Sequence, residues 1–193
     1  AAHLHHGLLA DLAARAEVCL GRVQGAAGRF SFAGEHFERA QRLALELGRL
    51  GAASDACRWR SASESNLGNS QHALELANEA LRIARDCGDK AREGAAYHRL
   101  ATVEHSLGER TLARDHYDRA LVLHRMTEHT AHAAATALNL GVLLIDNQEV
   151  ERAREVIESA LVGFEEMGHA RGLSPALVNL ALLARMRGDT DSA

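Results

Sequence analysis

Residues 100–125 read LATVEHSLGERTLARDHYDRALVLHR. The first half carries apolar side chains at helical spacing as far as Leu107, and Gly108 follows, which predicts a helix that ends at this glycine. The second half carries another apolar stripe at three-to-four spacing. Glycine permits a tight turn between them because it has no Cβ to clash at positive φ. The stretch therefore predicts two helices, over about residues 92–107 and 111–125.

The same pattern returns every 40 residues, in several columns of small or apolar residues that share one register. Turn glycines stand at Gly28, Gly68, Gly108 and Gly188, and a second glycine column, broken by Glu128, stands at Gly48, Gly88 and Gly168. Alanine columns stand at Ala33, Ala73, Ala113 and Ala153, and at Ala40, Ala80, Ala120 and Ala160. A small residue preceded by leucine, or once by Arg60, stands at Gly21, Ser61, Ala101, Gly141 and Ala181. Helices approach closely only where side chains are small, so these columns predict helix crossings.

Residues 64–89, 100–125 and 138–168 resemble tetratricopeptide repeats. They share the family's leucine-plus-small pair, the glycine turn, an alanine early in the second helix and an alanine–leucine pair late in it. The resemblance extends from about Ala14 to Gly188. It implies an all-α fold, a right-handed α-α superhelix of about four helix pairs plus a terminal helix.

Two features depart from the usual repeat. The period is 40 residues instead of about 34, and only Tyr97 supplies the aromatic residue that the family has early in the first helix. The longer period resembles the variant found in bacterial signal-transduction and transcriptional regulators.

We expect one solenoid domain over residues 1–193. Its units cover about residues 14–48, 50–88, 90–128 and 130–168, with a partial unit over 170–193. The last helix, about residues 170–187, presents Leu177, Leu180 and Leu183 with no partner after it, although solenoids normally end in a polar capping element. The chain is therefore expected to be a fragment of a longer protein or one end of a dimer.

Composition narrows the class of protein. Apolar residues make up 47% of the chain and aromatic residues only 4%, which favours helices packed closely through small side chains. The formal charge of −4 gives no basic footprint for nucleic acid. Three cysteines without CxxC spacing indicate a reduced, cytoplasmic chain, with Cys19 and Cys57 near the packed face. No apolar run approaches the roughly 20 residues that span a bilayer.

No sequence motif indicates catalysis. The chain lacks a phosphate-binding GxxxxGK[ST] loop, a GxSxG elbow and an HExxH pair, so we expect no enzyme and no cofactor. Histidines group as His3, His5 and His6, as His129 and His132, and as His98 and His105. None of these groups supplies three or four convergent ligands by itself, so no metal site is predicted, and metal binding by the His-rich N-terminus is left open. Trp59, between Arg58 and Arg60, is expected to be a packing residue rather than a base-stacking one.

The resemblance implies that the first helix of each pair lines a concave groove in which ligands bind. The candidate groove residues are Arg15, Arg22, Arg58, Ser65, Asn66, His98, Thr102, His105, Val142, Ile145 and Leu182. This stripe is basic and polar early in the chain and apolar later. Because arginine binds carboxylates well, we expect a peptide with an acidic group near Arg22 and Arg58 and apolar side chains toward Val142 and Leu182. The alternative is that these arginines pair with acids of the chain itself, such as Asp55, Glu17 or Glu64.

These observations favour a protein- or peptide-binding scaffold, the sensor or docking domain of a bacterial regulator. Two alternatives remain open: a superhelix that senses a small molecule, and a self-association module that forms a homodimer through the terminal helix. We expect no direct binding of nucleic acid or membrane.

Overall fold

The computed structural model describes the backbone of residues 2–187 and the side chains of residues 9–186. Over these residues the chain forms nine α-helices and no strand. The helices are α1 (Ala2–Ala26), α2 (Phe30–Glu46), α3 (Leu50–Asn66), α4 (Ser70–Asp86), α5 (Lys90–Ser106), α6 (Arg110–Met126), α7 (Thr130–Asp146), α8 (Val150–Glu166) and α9 (Ala170–Arg187). From α2 onward a helix begins every 20 residues, so a pair occupies one 40-residue repeat. The all-α solenoid of four helix pairs plus a terminal helix is confirmed.

The turns between helices depend on one residue with positive φ. Six glycines take this conformation, among them Gly68 at φ 84° and Gly108 at φ 82°. Glu128 (φ 56°) and Gln148 (φ 62°) take it as well, although neither is a glycine. In both of these turns the next residue donates its backbone N–H to a carbonyl five residues earlier, over 2.9 Å. These bonds hold the turn, so the break at Glu128 in the glycine column does not interrupt the repeat. Gly188 lies outside the described residues.

The small-residue columns mark the helix crossings, as predicted. A Cβ on Gly21 would lie 2.6 Å from the ring of Phe37 in α2, and a Cβ on Gly141 would lie 2.2 Å from Cγ1 of Ile157 in α8. The alanine at the start of each even-numbered helix is completely buried. Close contact within each pair therefore requires these residues to be small.

Neighbouring pairs are joined in two ways. Each even-numbered helix packs against the odd-numbered helix that follows it, and α3, α5, α7 and α9 also contact one another in sequence. Between α5 and α7, His98 Nδ1 lies 2.8 Å from Thr136 Oγ1, and His105 Nε2 lies 2.8 Å from an Asp146 carboxylate oxygen. Among the described residues, α1 and α3 make much less direct contact than these later pairs of odd-numbered helices do. The first two odd-numbered helices are therefore the least directly connected.

One leucine column is not uniform in burial, and two expectations about single residues need correction. Leu20 is 46% exposed, whereas Leu100 of the same column is buried against α4; no helix precedes α1 among the described residues. Leu183 is fully buried in the core with α8, so the exposed face of α9 consists of Leu177, Val178, Leu182 and Met186. Cys57 is buried as expected, but Cys19 is exposed because it lies one residue off the packed stripe of α1. None of the described helices has the length and apolar character needed to cross a membrane.

Candidate functional site

The odd-numbered helices together line a cavity of about 640 Å³, which we call the basic groove. It runs across α1, α3, α5 and α7, and its charged and aromatic lining residues are Arg22, Asp55, Arg58, Trp59, Asp89, Arg92, His129 and His132. Two carboxylates thus face three guanidinium groups and two imidazoles. The groove is basic although the chain as a whole carries a charge of −4.

A second cavity of about 420 Å³ adjoins the groove, and we call it the aromatic cavity. Phe30, Phe37 and Trp59 supply its apolar surface, and small residues of α1 leave the space open. Arg22 and Trp59 line both cavities and therefore form the wall between them.

Trp59 has two roles. Its ring stacks on Phe37 with centroids 6.2 Å apart, which confirms that it packs. The guanidinium carbon of Arg58 lies 4.6 Å from the Trp59 centroid, and that of Arg22 lies 5.8 Å away. A cation above an indole ring is attracted by its negative face. Trp59 therefore orients two cations at the boundary of the two cavities.

Arg58 is the central cation of the basic groove. Its side chain is only 16% exposed, and it lies 3.8 Å from Asp55, which is 2.9 Å from Arg92. One carboxylate thus serves two guanidinium groups. Burial lowers the pKa of Arg58, Asp55 opposes this effect, and the charges of Arg92 and Arg22 add to it. Buried Nε of Arg58 has no hydrogen-bond partner among the described residues.

The expected alternative, that acids of the chain neutralise these arginines, is correct only for Arg58. Glu17 binds His36 and Arg39 instead, and Glu64 binds Asn69 and lies near His72. In the part of the chain that the structure describes, Arg22 contacts Trp59 and forms no ion pair.

Arg99 also belongs to the candidate site, although it lies outside the predicted stripe. It lines the aromatic cavity, and its buried Nε has no partner among the described residues. Burial, with the charge of Arg58, lowers its pKa to about 10. The 40-residue repeat could have revealed it. Arg99 lies 40 residues after Trp59, and both follow a residue of the predicted stripe by one position. The buried Oγ of Ser65, another predicted residue, also has no hydrogen-bond partner among the described residues.

The other predicted residues are dispersed. Asn66 lines the aromatic cavity beside Arg22, but Arg15 lines a separate small cavity near Arg49. His98, Thr102 and His105 bond within α5 or to α7. Val142 and Ile145 are half-buried in α7, and Leu182 is exposed on α9. The structure thus brings together Arg22, Arg58 and Asn66 around Trp59, and not the whole predicted stripe.

Neutral histidines lie beside this site. Thr136 Oγ1 donates to the carbonyl of His132, so His98 Nδ1 must donate to Thr136, and His98 Nε2 accepts from Asn139. Burial, with the nearby charge of Arg99, lowers the pKa of His98 to about 3. Burial and the neighbouring His132 lower the pKa of His124 to about 4.

The rings of His124, His129 and His132 form a chain with centroid distances of 5.2 and 5.9 Å. Even so, no three His, Cys, Asp or Glu side chains among the described residues are arranged to hold a metal ion. The side chains of His3, His5 and His6 lie outside the described part of the chain.

Solved structures with the same architecture are known. The chain is similar to BtubC (BKLC) from P. vanneervenii, with 22% identity over 97% of this chain and 78% of that one, and a TM-score of 0.82. It is similar to a putative kinesin light chain from Podosopora anserina with nearly identical TPR-like repeats, with 17% identity over 92% of this chain and 88% of that one, and a TM-score of 0.69. It is also similar to a Rap protein complexed with competence and sporulation factor, with 17% identity over 92% of this chain and 50% of that one, and a TM-score of 0.81. No protein-family model matches the chain.

These likenesses agree with the repeat geometry: the chain is a helical-repeat protein with the tetratricopeptide-repeat-like fold. At such identities they establish the fold alone.

Proposed function

We propose that the chain is a peptide-binding module that holds an acidic segment of a partner protein in the basic groove. The observation that carries this proposal is a pair of guanidinium groups on the two sides of Trp59: Arg58 and Arg99 each have a buried Nε without a hydrogen-bond partner among the described residues. A buried donor without a partner is unfavourable by about 1–3 kcal/mol, and a carboxylate that accepts from it removes this penalty. Planar guanidinium groups also match carboxylates in a bidentate geometry.

The aromatic cavity supports the apolar half of the proposal. Because Arg22 and Trp59 line both cavities, a segment that places a carboxylate in the basic groove can place a neighbouring apolar side chain against Phe30, Phe37 and Trp59. The apolar contacts that we expected toward Val142 and Leu182 lie on later helices. We therefore propose Trp59 as the point where the acidic and the apolar parts of the ligand meet.

A regulatory role in the bacterial cytoplasm, as a sensor or docking domain without catalysis, is part of the same proposal. Its support is that a similar solved structure is a Rap protein in complex with competence and sporulation factor. Another, from Pyrococcus horikoshii, is a signal transduction ATPase with a tetratricopeptide repeat sensor.

Fluorescent peptides of equal length test the proposal, one rich in Glu and Phe and the other rich in Lys and Phe. We expect the acidic peptide to bind more tightly, and the difference to shrink as salt rises. Arg58→Glu should weaken its binding at least tenfold, about 1.4 kcal/mol, while Arg42→Glu, the same charge change at an exposed position of α2, should leave it unchanged. Equal loss in both variants would show that net charge, not the groove, determines binding. Arg99→Gln, which keeps a polar side chain, covers the case in which Arg58→Glu does not fold.

Self-association is a second candidate function. The face of α9 formed by Leu177, Val178, Leu182 and Met186 is exposed, and exposed apolar patches mark interaction sites. We propose that two copies of the chain associate through this face.

A further inference from the structure

A third cavity, of about 650 Å³, lies between α6, α7 and α8 and shares no lining residue with the two cavities described above. Leu121 of α6 and Val162 of α8 form its apolar sides, and alanines of α7 form its base. Arg125, Glu128 and Glu166 lie at its rim. We call it the α7 cavity.

Two large-to-small changes within the repeat occur beside this space, and at one of them, Gly163, α7 approaches so closely that a Cβ would lie 3.2 Å from Cβ of Ala134. At one position of the even-numbered helices the first three units have Leu43, Ile83 and Leu123, whereas the fourth has Gly163. At one position of the odd-numbered helices Tyr97 is followed, one repeat later, by Ala137. Tyr97 is part of a core cluster against which Leu123 packs, so the third unit fills the volume that the fourth leaves open.

A buried histidine borders the α7 cavity. His124 occupies a column in which Ala44, Ala84 and Phe164 stand in the other units. It is 1% exposed, and neither ring nitrogen has a hydrogen-bond partner among the described residues. Nδ1 lies 3.0 Å from where a Cβ on Gly94 would be, so this edge of the ring faces α5.

Cε1 of His124 lies at the same 3.0 Å from that Cβ position, so the Nδ1–Cε1 edge of the ring faces α5. We assign Nε2 to a ligand; this nitrogen is itself buried, so the ligand displaces neighbouring side chains to reach it. A buried imidazole without any partner is unfavourable, and native structures rarely retain one without a function. Alanine or phenylalanine, which the other units have at this position, would avoid the penalty.

We propose that the α7 cavity binds a small neutral molecule, with an aromatic or branched apolar body and one hydroxyl group that hydrogen-bonds to Nε2 of His124. The volume is within the range of about 300–1,000 Å³ that is typical of small-molecule sites. The apolar sides and the alanine base offer no counterion to a charged ligand below the rim. A partner helix would cover the rim residues but would leave His124 without a bond, because this ring lies beneath the surface.

The proposal is separate from peptide binding in the basic groove and is tested without a peptide. The intact chain is titrated with phenol, toluene and benzoate, and binding is followed by ligand-observed NMR. We expect phenol to bind most tightly, toluene less tightly and benzoate least tightly. Ala133→Leu places a larger side chain in the cavity and should weaken phenol binding at least tenfold. Ala13→Leu, the same change at the equivalent position of α1, should have no effect. Equal phenol affinity in the two variants would overturn the proposal, as would benzoate binding as tightly as phenol.

His124→Phe introduces the side chain of the Phe164 column and removes the hydrogen bond. We expect this variant to bind phenol and toluene equally, and an unchanged preference for phenol would refute the role of His124. If the variant does not fold, ¹⁵N NMR of the wild-type imidazoles provides the test. Phenol should shift the Nε2 resonance of His124 and toluene should not, and a resonance that phenol leaves unchanged would overturn the assignment.

Discussion

Mild acid should destabilise this chain through the half-buried His98 and the buried His124, well above the pH at which carboxylates titrate. The pKa of His98 falls from 6.5 to about 3 in the folded chain, and that of His124 falls to about 4. The unfolded chain therefore takes up protons first as the pH decreases. The stability that depends on the neutral rings is fully present above 6.5 and is lost as the pH falls toward the folded pKa values.

The size of the effect follows from these shifts. Each pH unit between the unfolded and folded pKa values is worth about 1.4 kcal/mol for one group. Between pH 6.5 and about pH 5, each histidine therefore costs about 1.5 kcal/mol, and the two together cost about 3 kcal/mol. Glu17, Asp89 and Glu93 also have lowered pKa values, but their contributions are lost only below about 4.5. The interval above pH 5 thus separates the imidazoles from these carboxylates.

Urea unfolding at several pH values between about 7 and 5, followed by circular dichroism and by Trp59 fluorescence, measures this loss. His98→Gln should be less stable than wild type near neutral pH because it loses the bond to Thr136. On acidification, His98→Gln and His124→Phe should each lose about 1.5 kcal/mol less than wild type. The pKa of His132 is also lowered, by burial and by the charge of Arg58, so the double variant should keep only the loss that His132 causes in this interval. If it loses as much stability as wild type, other groups are responsible and the reasoning is refuted.

Three further perturbations test the fold and its surfaces. Glu128→Gly and Gln148→Gly should each raise the free energy of unfolding by about 1 kcal/mol, because both residues hold a left-handed conformation, and an unchanged urea midpoint would show that the turns carry no strain. Gly141→Ala should lower the free energy of unfolding by about 1–3 kcal/mol in the same assay, since its Cβ would lie 2.2 Å from Ile157 Cγ1, and full stability would contradict this crossing. Leu182→Glu should convert a dimer to a monomer in sedimentation velocity, and a wild-type chain that is monomeric at every concentration would exclude self-association through α9.

The fold could be predicted from the sequence because its determinants recur. Small residues in a 40-residue register locate each crossing, and the turn glycines locate the helix ends to within about two residues, except those of α6 and α7, where Glu128 and Gln148 form the turn. The terminal helix over residues 170–187 has the expected bounds. Burial in the first and last units was less predictable. Leu20 of α1 is exposed, and Leu183 of α9 is buried against α8 although no later helix is present among the described residues.

The candidate site was only partly predictable. Which residues of an odd-numbered helix face the groove depends on the rotation of that helix, and core packing sets this rotation. Arg58 and Arg22 of the predicted stripe line the basic groove, whereas Arg99 lies one residue beyond that stripe. His98 was selected for its position, yet its partner Thr136 is 38 residues away, and no local pattern reveals that bond.

The weak connection between α1 and α3 has a mechanical consequence. From α3 onward each odd-numbered helix packs directly against the next one, and His98 and His105 hydrogen-bond from α5 to α7. Between α1 and α3 there is little direct packing among the described residues, and the contact of Arg22 with Trp59 connects the two helices. Direct contact between successive odd-numbered helices is therefore sparsest where the two cavities meet, and α2, which packs against both α1 and α3, joins them. A ligand that bridged Arg22 and Arg58 would stiffen that joint, and the pitch of the first turn of the solenoid would report its presence.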